Sequence, residues 1–264
     1  MSITRRSPQE EIEVLIHSQY RNNPTTSNHS NFTYNLDRSI GRVSEIQIAS
    51  IHLPFSYYAV NDNNHTLHID GGVTGTADIP NGNYTTSTMS AALKTAMEAV
   101  MGATATVTYS SVTNKFTLVH SGTSFFVDTA GADNIAYMIG FEEDLASATS
   151  QTSDTAIDLS GPKHLVLKST ILTQFSAEKN ITSSALAAIY VTNTGVSDNI
   201  LHTIPVNAQP TGVTLDIPLR TSSIRLNTQL VFQNNIDFRL EDDEGNLLEM
   251  NGKEWSAKLI FKVR

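Results

Sequence analysis

The chain has 264 residues, of which 39% are hydrophobic and 16% charged, with a net charge of −9 and no cysteine. Such a length can bury a core without staples, and the absence of thiols excludes cysteine nucleophiles, cysteine-based zinc sites and disulfides together. An acidic chain is a poor match for wrapping nucleic acid, whose affinity comes from neutralised phosphates, and low charge with many Ser, Thr and Asn favours strands and polar turns.

Residues 1–10 are polar, carry Arg5 and Arg6, and lack the apolar run of a secretory signal. They read as a flexible N-terminal arm. No stretch approaches the length of a transmembrane helix, so the protein is expected to be made and used in a cytosol-like space. The sequons at Asn28, Asn31, Asn64, Asn83 and Asn180 read as chance in a chain rich in Asn, Ser and Thr.

A first strand is predicted over residues 12–16, then a polar loop over 18–31. Phe32, Tyr34 and Leu36 alternate with polar residues, the mark of a half-buried strand. In residues 43–54, Ile46 and Ile48 fall on one face and Ala49, Ile51 and Leu53 on the other, which predicts a strand covered on both sides. Residues 57–153 read as an α/β insertion with a return linker. It opens with a strand over 66–70 and a turn at Pro80-Asn81-Gly82. A helix over 88–101 follows, with Met89, Leu93, Ala96, Met97 and Val100 at helical spacing, Ser87 as N-cap and Gly102 as stop. Strands over 104–109 and 115–119 flank a hairpin loop, a further strand covers 124–128, and 134–141 reads as a short helix. Residues 142–153 lack periodicity and read as the linker.

The remainder is nearly all β, with strands expected over 165–172, 185–191, 201–206, 213–219, 229–232, 236–240 and 255–263. Trp255 alternates in phase with Ala257, Leu259 and Phe261, which places it in the core. The fold class expected is mainly β: a single jelly-roll β-sandwich over 11–56 and 154–264, interrupted by the insertion.

Familiar catalytic patterns are absent from the sequence: no His-Glu-x-x-His, no Gly-x-Ser-x-Gly, no Walker loop. Glu241, Asp242, Asp243 and Glu244 form the densest carboxylate group. With Gly245 as the sixth place of a calcium loop, the first ligand would fall on Leu240, so the segment reads as a solvated hairpin tip. His65, His68 and Asp70 are close in sequence. On a strand His65 points away from the other two, so shared metal ligation would need an irregular backbone. His17, His29, His52, His120, His164 and His202 are scattered. No catalytic, cofactor-binding or metal residue is assigned, no cofactor is expected, and the chain is not expected to be an enzyme.

Several phrases, taken in order, carry a resemblance. They are residues 11–22 (Glu-Ile-Glu-Val-Leu-Ile-His-Ser-Gln-Tyr-Arg-Asn), 31–36 (Asn-Phe-Thr-Tyr-Asn-Leu) and 43–54, then Ile79-Pro80-Asn81-Gly82-Asn83-Tyr84-Thr85 and Met138-Ile139-Gly140-Phe141. The last is Asp243-Glu244-Gly245-Asn246-Leu247 with Asn251-Gly252-Lys253-Glu254-Trp255. The chain resembles the capsid vertex (penton) and related minor capsid proteins of double-stranded DNA viruses with double-jelly-roll major capsid proteins: virophages, polinton-like viruses and giant viruses. Where that family's phrase reads Asp-Ser-Arg-Asp-Arg, this chain has His17-Ser18-Gln19-Tyr20-Arg21.

The resemblance implies a structural virion protein, a homopentamer at the five-fold vertices of an icosahedral capsid, made in a host cytoplasm or viral factory. Its partners would be other copies of itself and neighbouring major and minor capsid proteins. The insertion would project outward toward a spike or host surface, and no direct nucleic acid binding is expected. Two other readings compete. A receptor- or carbohydrate-binding spike or fibre module would form trimers. A jelly-roll hydrolase would need two carboxylates facing each other across a cleft.

Overall fold

The computed structural model describes residues 10–102, 104–173, 199–206, 214–218, 223–231 and 235–263. The strands expected over 185–191 and the arm before residue 10 lie outside these. In chain order the elements are β1 (Glu10–His17), β2 (Asn31–Asn35), β3 (Arg42–Pro54), β4 (Thr66–Gly71), β5 (Gly75–Asp78), α1 (Thr86–Met101), β6 (Ala105–Ser110), β7 (Lys115–His120), β8 (Phe125–Val127) and β9 (Ser150–Thr152). They continue with β10 (His164–Lys168), α2 (Thr170–Thr173), β11 (Ile200–Pro205), β12 (Thr214–Pro218), β13 (Ser223–Val231), β14 (Asn235–Glu241) and β15 (Ser256–Val263). The chain is mainly β, the strands named here pair antiparallel among the described residues, and it divides into two compact units.

The first unit joins Met1–Tyr57 to Pro162–Arg264. One sheet runs β1-β15-β3-β12, with β13 also pairing β3, and the other runs β11-β10-β14-β2. Inward residues of both sheets share one core: Ile16, Ile46, Ile51, Leu259 and Phe261 from the first, Phe32, Leu165, Leu167 and Phe238 from the second. Trp255 lies with its ring 5.7 Å from that of Phe32 and edge-on to Phe238 at 6.2 Å, so one side chain packs on two strands of the opposite sheet.

β3 corrects the expectation of a strand covered on both faces. Against β15 its register slips twice, passing over Ser44 and Ala49. Each extra residue is a bulge that re-phases the alternation. Val43, Ile46, Ile48, Ile51 and Leu53 therefore all point into one core, each at most 1% exposed. The other face is polar and carries ion pairs between Lys262 and Glu45 (2.9 Å) and between Lys258 and Glu13 (2.6 Å).

The strand expected over 165–172 ends at Lys168, where the chain turns into α2. Asp237 of β14 dictates this. Its carboxylate accepts from Ser169 Oγ (2.9 Å), Thr170 N (2.8 Å), Thr170 Oγ1 (2.6 Å) and Ile171 N (2.9 Å). Burial pushes this carboxyl up, but the four donors outweigh it and hold the group below its ordinary value. A depressed folded value means that the stabilisation is complete above the unfolded carboxyl range, about 4, and is lost as pH falls through the folded value. Asp237→Ala is expected to lower stability by about 2 kcal/mol at neutral pH. In urea denaturation at a series of pH values, the gap to the parent protein closes below pH of about 4.

The second unit is Tyr58–Gly161. Its sheets are β5-β4-β8 and β6-β7-β9, and α1 supplies Met89, Leu93, Ala96, Met97 and Met101 to a core shared with Leu67, Ile69, Phe116, Leu118 and Phe125. α1 starts earlier than expected. Thr85, not Ser87, is the N-cap: its hydroxyl accepts from Thr88 N (3.2 Å), and Thr88 Oγ1 accepts from Thr85 N (2.9 Å). This is a reciprocal capping box with threonine in the place usually held by Glu or Gln. Gly102 ends the helix as expected, at φ +67°.

Residues 134–141 are successive turns and not the expected short helix. Ile139 N reaches both Ala136 O (3.2 Å) and Ile135 O (3.3 Å), and Phe141 N returns to Ala136 O (2.9 Å). The expected linker contains β9, whose buried Gln151 donates to Phe125 O (2.7 Å) and Ala146 O (2.8 Å). Residues 154–161 also run with this unit: Thr155 N bonds Gly140 O, Ile157 N bonds Asn114 O and Asp158 N bonds Met138 O, each at 2.9 Å. Gly140 sits at φ +85°, and a Cβ there would meet Thr155 O at 2.5 Å. Gly140→Ala is therefore expected to cost about 1–3 kcal/mol, read as a lower melting temperature of the transition that includes the second unit.

Candidate functional site

His65, His68 and Asp70 lie on and beside β4 but serve different partners. His65 Nδ1 faces Asn61 O at 3.1 Å, and its Nε2 lies 3.6 Å from Asp78. His68 Nε2 faces Ala132 O at 2.9 Å. Asp70 accepts from the Thr74 hydroxyl and from Gly71 N (2.7 Å), which in that order hold its carboxyl below the ordinary range. Among the described residues no group of three His, Asp or Glu side chains is placed to hold a metal.

The acidic turn after β14 is more than a solvated tip. Glu241 is buried and meets Lys168 Nζ at 2.6 Å and Arg239 Nε. Asp242 Oδ1 accepts from Asn246 N (2.8 Å) and Glu244 N (3.0 Å), and Asp243 accepts from Lys163 N at 2.9 Å. Burial, then the charge of Asp243, push the Asp242 carboxyl up against those hydrogen bonds. Three of the four carboxylates thus organise backbone or neutralise cations, and Gly245 at φ +89° closes the turn.

The densest polar constellation joins segments more than 200 residues apart. Just after β1, Ser18 is fully buried, its N–H donating to Trp255 O (2.9 Å) and its Oγ accepting from Trp255 N (2.9 Å). The Ser18 hydroxyl donates to Glu254. Arg21 donates to Ser18 O (2.9 Å), Pro24 O (3.0 Å), Ser27 O (3.2 Å) and Glu254 Oε1 (3.2 Å). His29 Nε2 lies 3.1 Å from the same Oε1, and the Trp255 indole donates to His29 O at 2.7 Å. Burial pushes Glu254 up, but the Ser18 hydrogen bond and the charges of His29 and Arg21 prevail and hold it low.

A serine, a histidine and a glutamate meet here, but not in the order nucleophilic catalysis requires. The hydroxyl proton goes to the carboxylate and not to the imidazole, and the buried oxygen accepts from Trp255 N. The constellation can hold backbone in place, and that is the chemistry it offers. Of the residues singled out in the sequence, Trp255 and the scattered His29 take part. Arg21, His29 and Glu254 carried no signal as a group, because they come together where the pairing of β1 with β15 ends.

No protein-family model matches the chain, and no curated protein matches it. Among solved structures, the crystal structure of the selenomethionine-labelled mavirus penton protein is similar, with a TM-score of 0.47 and 9% sequence identity over 96% of this chain and 99% of that one.

Proposed function

We propose that the protein is a structural component of a virus particle, a jelly-roll capsid protein that assembles as a homopentamer at the five-fold vertices. The observation that carries the reading is the nesting of strand pairs in the first unit. β1 pairs β15, β2 pairs β14, β3 pairs β12 and β13, and β10 pairs β11. The chain is thus a long hairpin rolled into two sheets, first strands against last, which is how a jelly roll is wound. In chain order the second unit enters between β3 and β10, which belong to different pairs of the nest.

A second support is the tie across the outermost strand pair. The segment Ser18-Gln19-Tyr20-Arg21, which follows β1, and the segment Glu254-Trp255, which precedes β15, clamp each other through hydrogen bonds. A ring of five copies is a heterologous assembly that closes by rotation. Light scattering with negative-stain imaging of the same fraction tests it. Five 28.8 kDa chains in a ring with five-fold views support the vertex assignment, whereas a trimer transfers the reading to a fibre or spike module.

A further inference from the structure

We infer that Asn251 is a site of spontaneous covalent modification, where the side-chain amide is lost by ring closure with Gly252 and a carboxylate replaces it. The inference does not depend on the vertex reading. The chain holds two Asn-Gly pairs, Asn81-Gly82 and Asn251-Gly252. Glycine presents the least crowded backbone nitrogen to a preceding asparagine, because it has no side chain and turns freely. In the fold the two pairs differ at the atom that attacks. Asn251 and Gly252 form the centre of a tight turn, at φ +49° and +72°, closed by Lys253 N donating to Met250 O at 3.0 Å. Both are exposed, and among the described residues Gly252 N donates to no acceptor. A Cβ built on Gly252 would meet nothing within 4 Å, so this peptide has room to rotate. Around Gly82 the arrangement is the reverse. Its N–H donates to Val60 O (2.9 Å) and its carbonyl accepts from Val60 N (3.0 Å), which locks the attacking nitrogen in a bridge. The Asn81 amide is itself tied to Asp62 Oδ1 at 2.6 Å.

The reaction needs only water. Gly252 N loses its proton to solvent and attacks Cγ of Asn251. The new C–N bond closes a cyclic imide while the Cγ–Nδ2 bond breaks, and ammonia leaves with a proton taken from solvent. Water then opens the imide at either carbonyl, giving aspartate, or isoaspartate with the main chain rerouted through Cβ and Cγ. The net exchange is one water in and one ammonia out. The product matters locally. Asn251 Nδ2 donates to Ser56 O, and Ser56 Oγ donates to Met250 O at 2.6 Å, so the amide is half of the tie between this turn and the chain after β3. After reaction a carboxylate faces Ser56 O, an acceptor against an acceptor. It also lies beside Glu249, whose Oε1 accepts from Asn251 N at 3.0 Å. Modified chains therefore lose the tie and carry one negative charge beyond the −9 of the parent.

Incubating the full chain at mildly alkaline pH in heavy-oxygen water, followed by tryptic peptide mapping, tests the inference. Cleavage after Arg239 and Lys253 places Asn251 in one peptide, and cleavage after Arg42 and Lys94 places Asn81 in another. Fragment masses then locate the labelled residue. Asn251 should take up label roughly tenfold faster than Asn81, because freeing Gly82 N breaks two backbone hydrogen bonds. In urea, with the fold removed, the two rates should converge. Equal rates in the folded chain, faster labelling at Asn81, or no label at Asn251 while the unfolded chain reacts each overturn the inference. Asn251→Gly keeps a residue suited to positive φ and has no amide to lose. It should remove the acidic species that accumulates on anion exchange as the parent protein ages, and undiminished accumulation in that variant also overturns the inference.

Discussion

Replacing Trp255 by alanine is expected to remove about 3–5 kcal/mol of stability, enough to threaten the fold of the first unit. The side chain is 2% exposed and packs on Phe32 and Phe238, which belong to neighbouring strands of the opposite sheet. A ring of this size buries about 200 Å², worth about 5 kcal/mol by area alone, and no neighbour can fill the vacancy without leaving its rotamer. Trp255→Phe separates the terms. It keeps most of the apolar contact but leaves His29 O without the indole donor, for an expected cost of about 1–3 kcal/mol. Urea denaturation followed by far-ultraviolet circular dichroism measures both, since the chain has a single tryptophan and the variants lose its fluorescence. A loss under about 1 kcal/mol for the alanine variant would mean that the two sheets are held by other contacts.

Trp255 was readable in the sequence because its strand alternates strictly: Trp255, Ala257, Leu259 and Phe261 are all buried. The same rule failed on β3, where two bulges keep five apolar residues on one face, because an inserted residue shifts the phase and only the partner strand shows where. The helix α1 was found through its apolar stripe, but its first turn was missed. Thr85, Thr86, Ser87 and Thr88 are all cap-forming types, and the hydrogen bonds choose among them. Residues 134–141 have helix-like apolar spacing, yet Asp133 at φ +52° and Gly140 at φ +85° bracket a stretch too short to propagate. β5 and β9 are short and polar, so they have no pattern of their own and exist through pairing with β4 and β7. The polar clamp was illegible for a different reason. Its two sides lie more than 200 residues apart, and nothing local marks Arg21 as buried or Glu254 as its partner.

That clamp yields the second large effect. Arg21→Met should destabilise the protein by about 3–5 kcal/mol, although it replaces one long side chain with another of similar reach. The guanidinium is 7% exposed and forks between three carbonyls and a carboxylate. Methionine leaves Ser18 O, Pro24 O and Ser27 O without that donor and removes a cation from Glu254. Arg21→Lys should recover little, because a point charge cannot reach four acceptors at once. A double-mutant cycle with Glu254→Gln gives the coupling, expected at about 1–3 kcal/mol. Additive losses would show that Arg21 acts through the carbonyls alone. The pH dependence gives an independent check. Glu254 is held low in the fold, so its contribution is present above the unfolded range of about 4 and is lost as pH falls through the folded value. Removing Arg21 takes away one of the groups that hold it low. The acid limb of the stability profile should then move to higher pH in Arg21→Met, and removing the carboxylate as well should erase the shift.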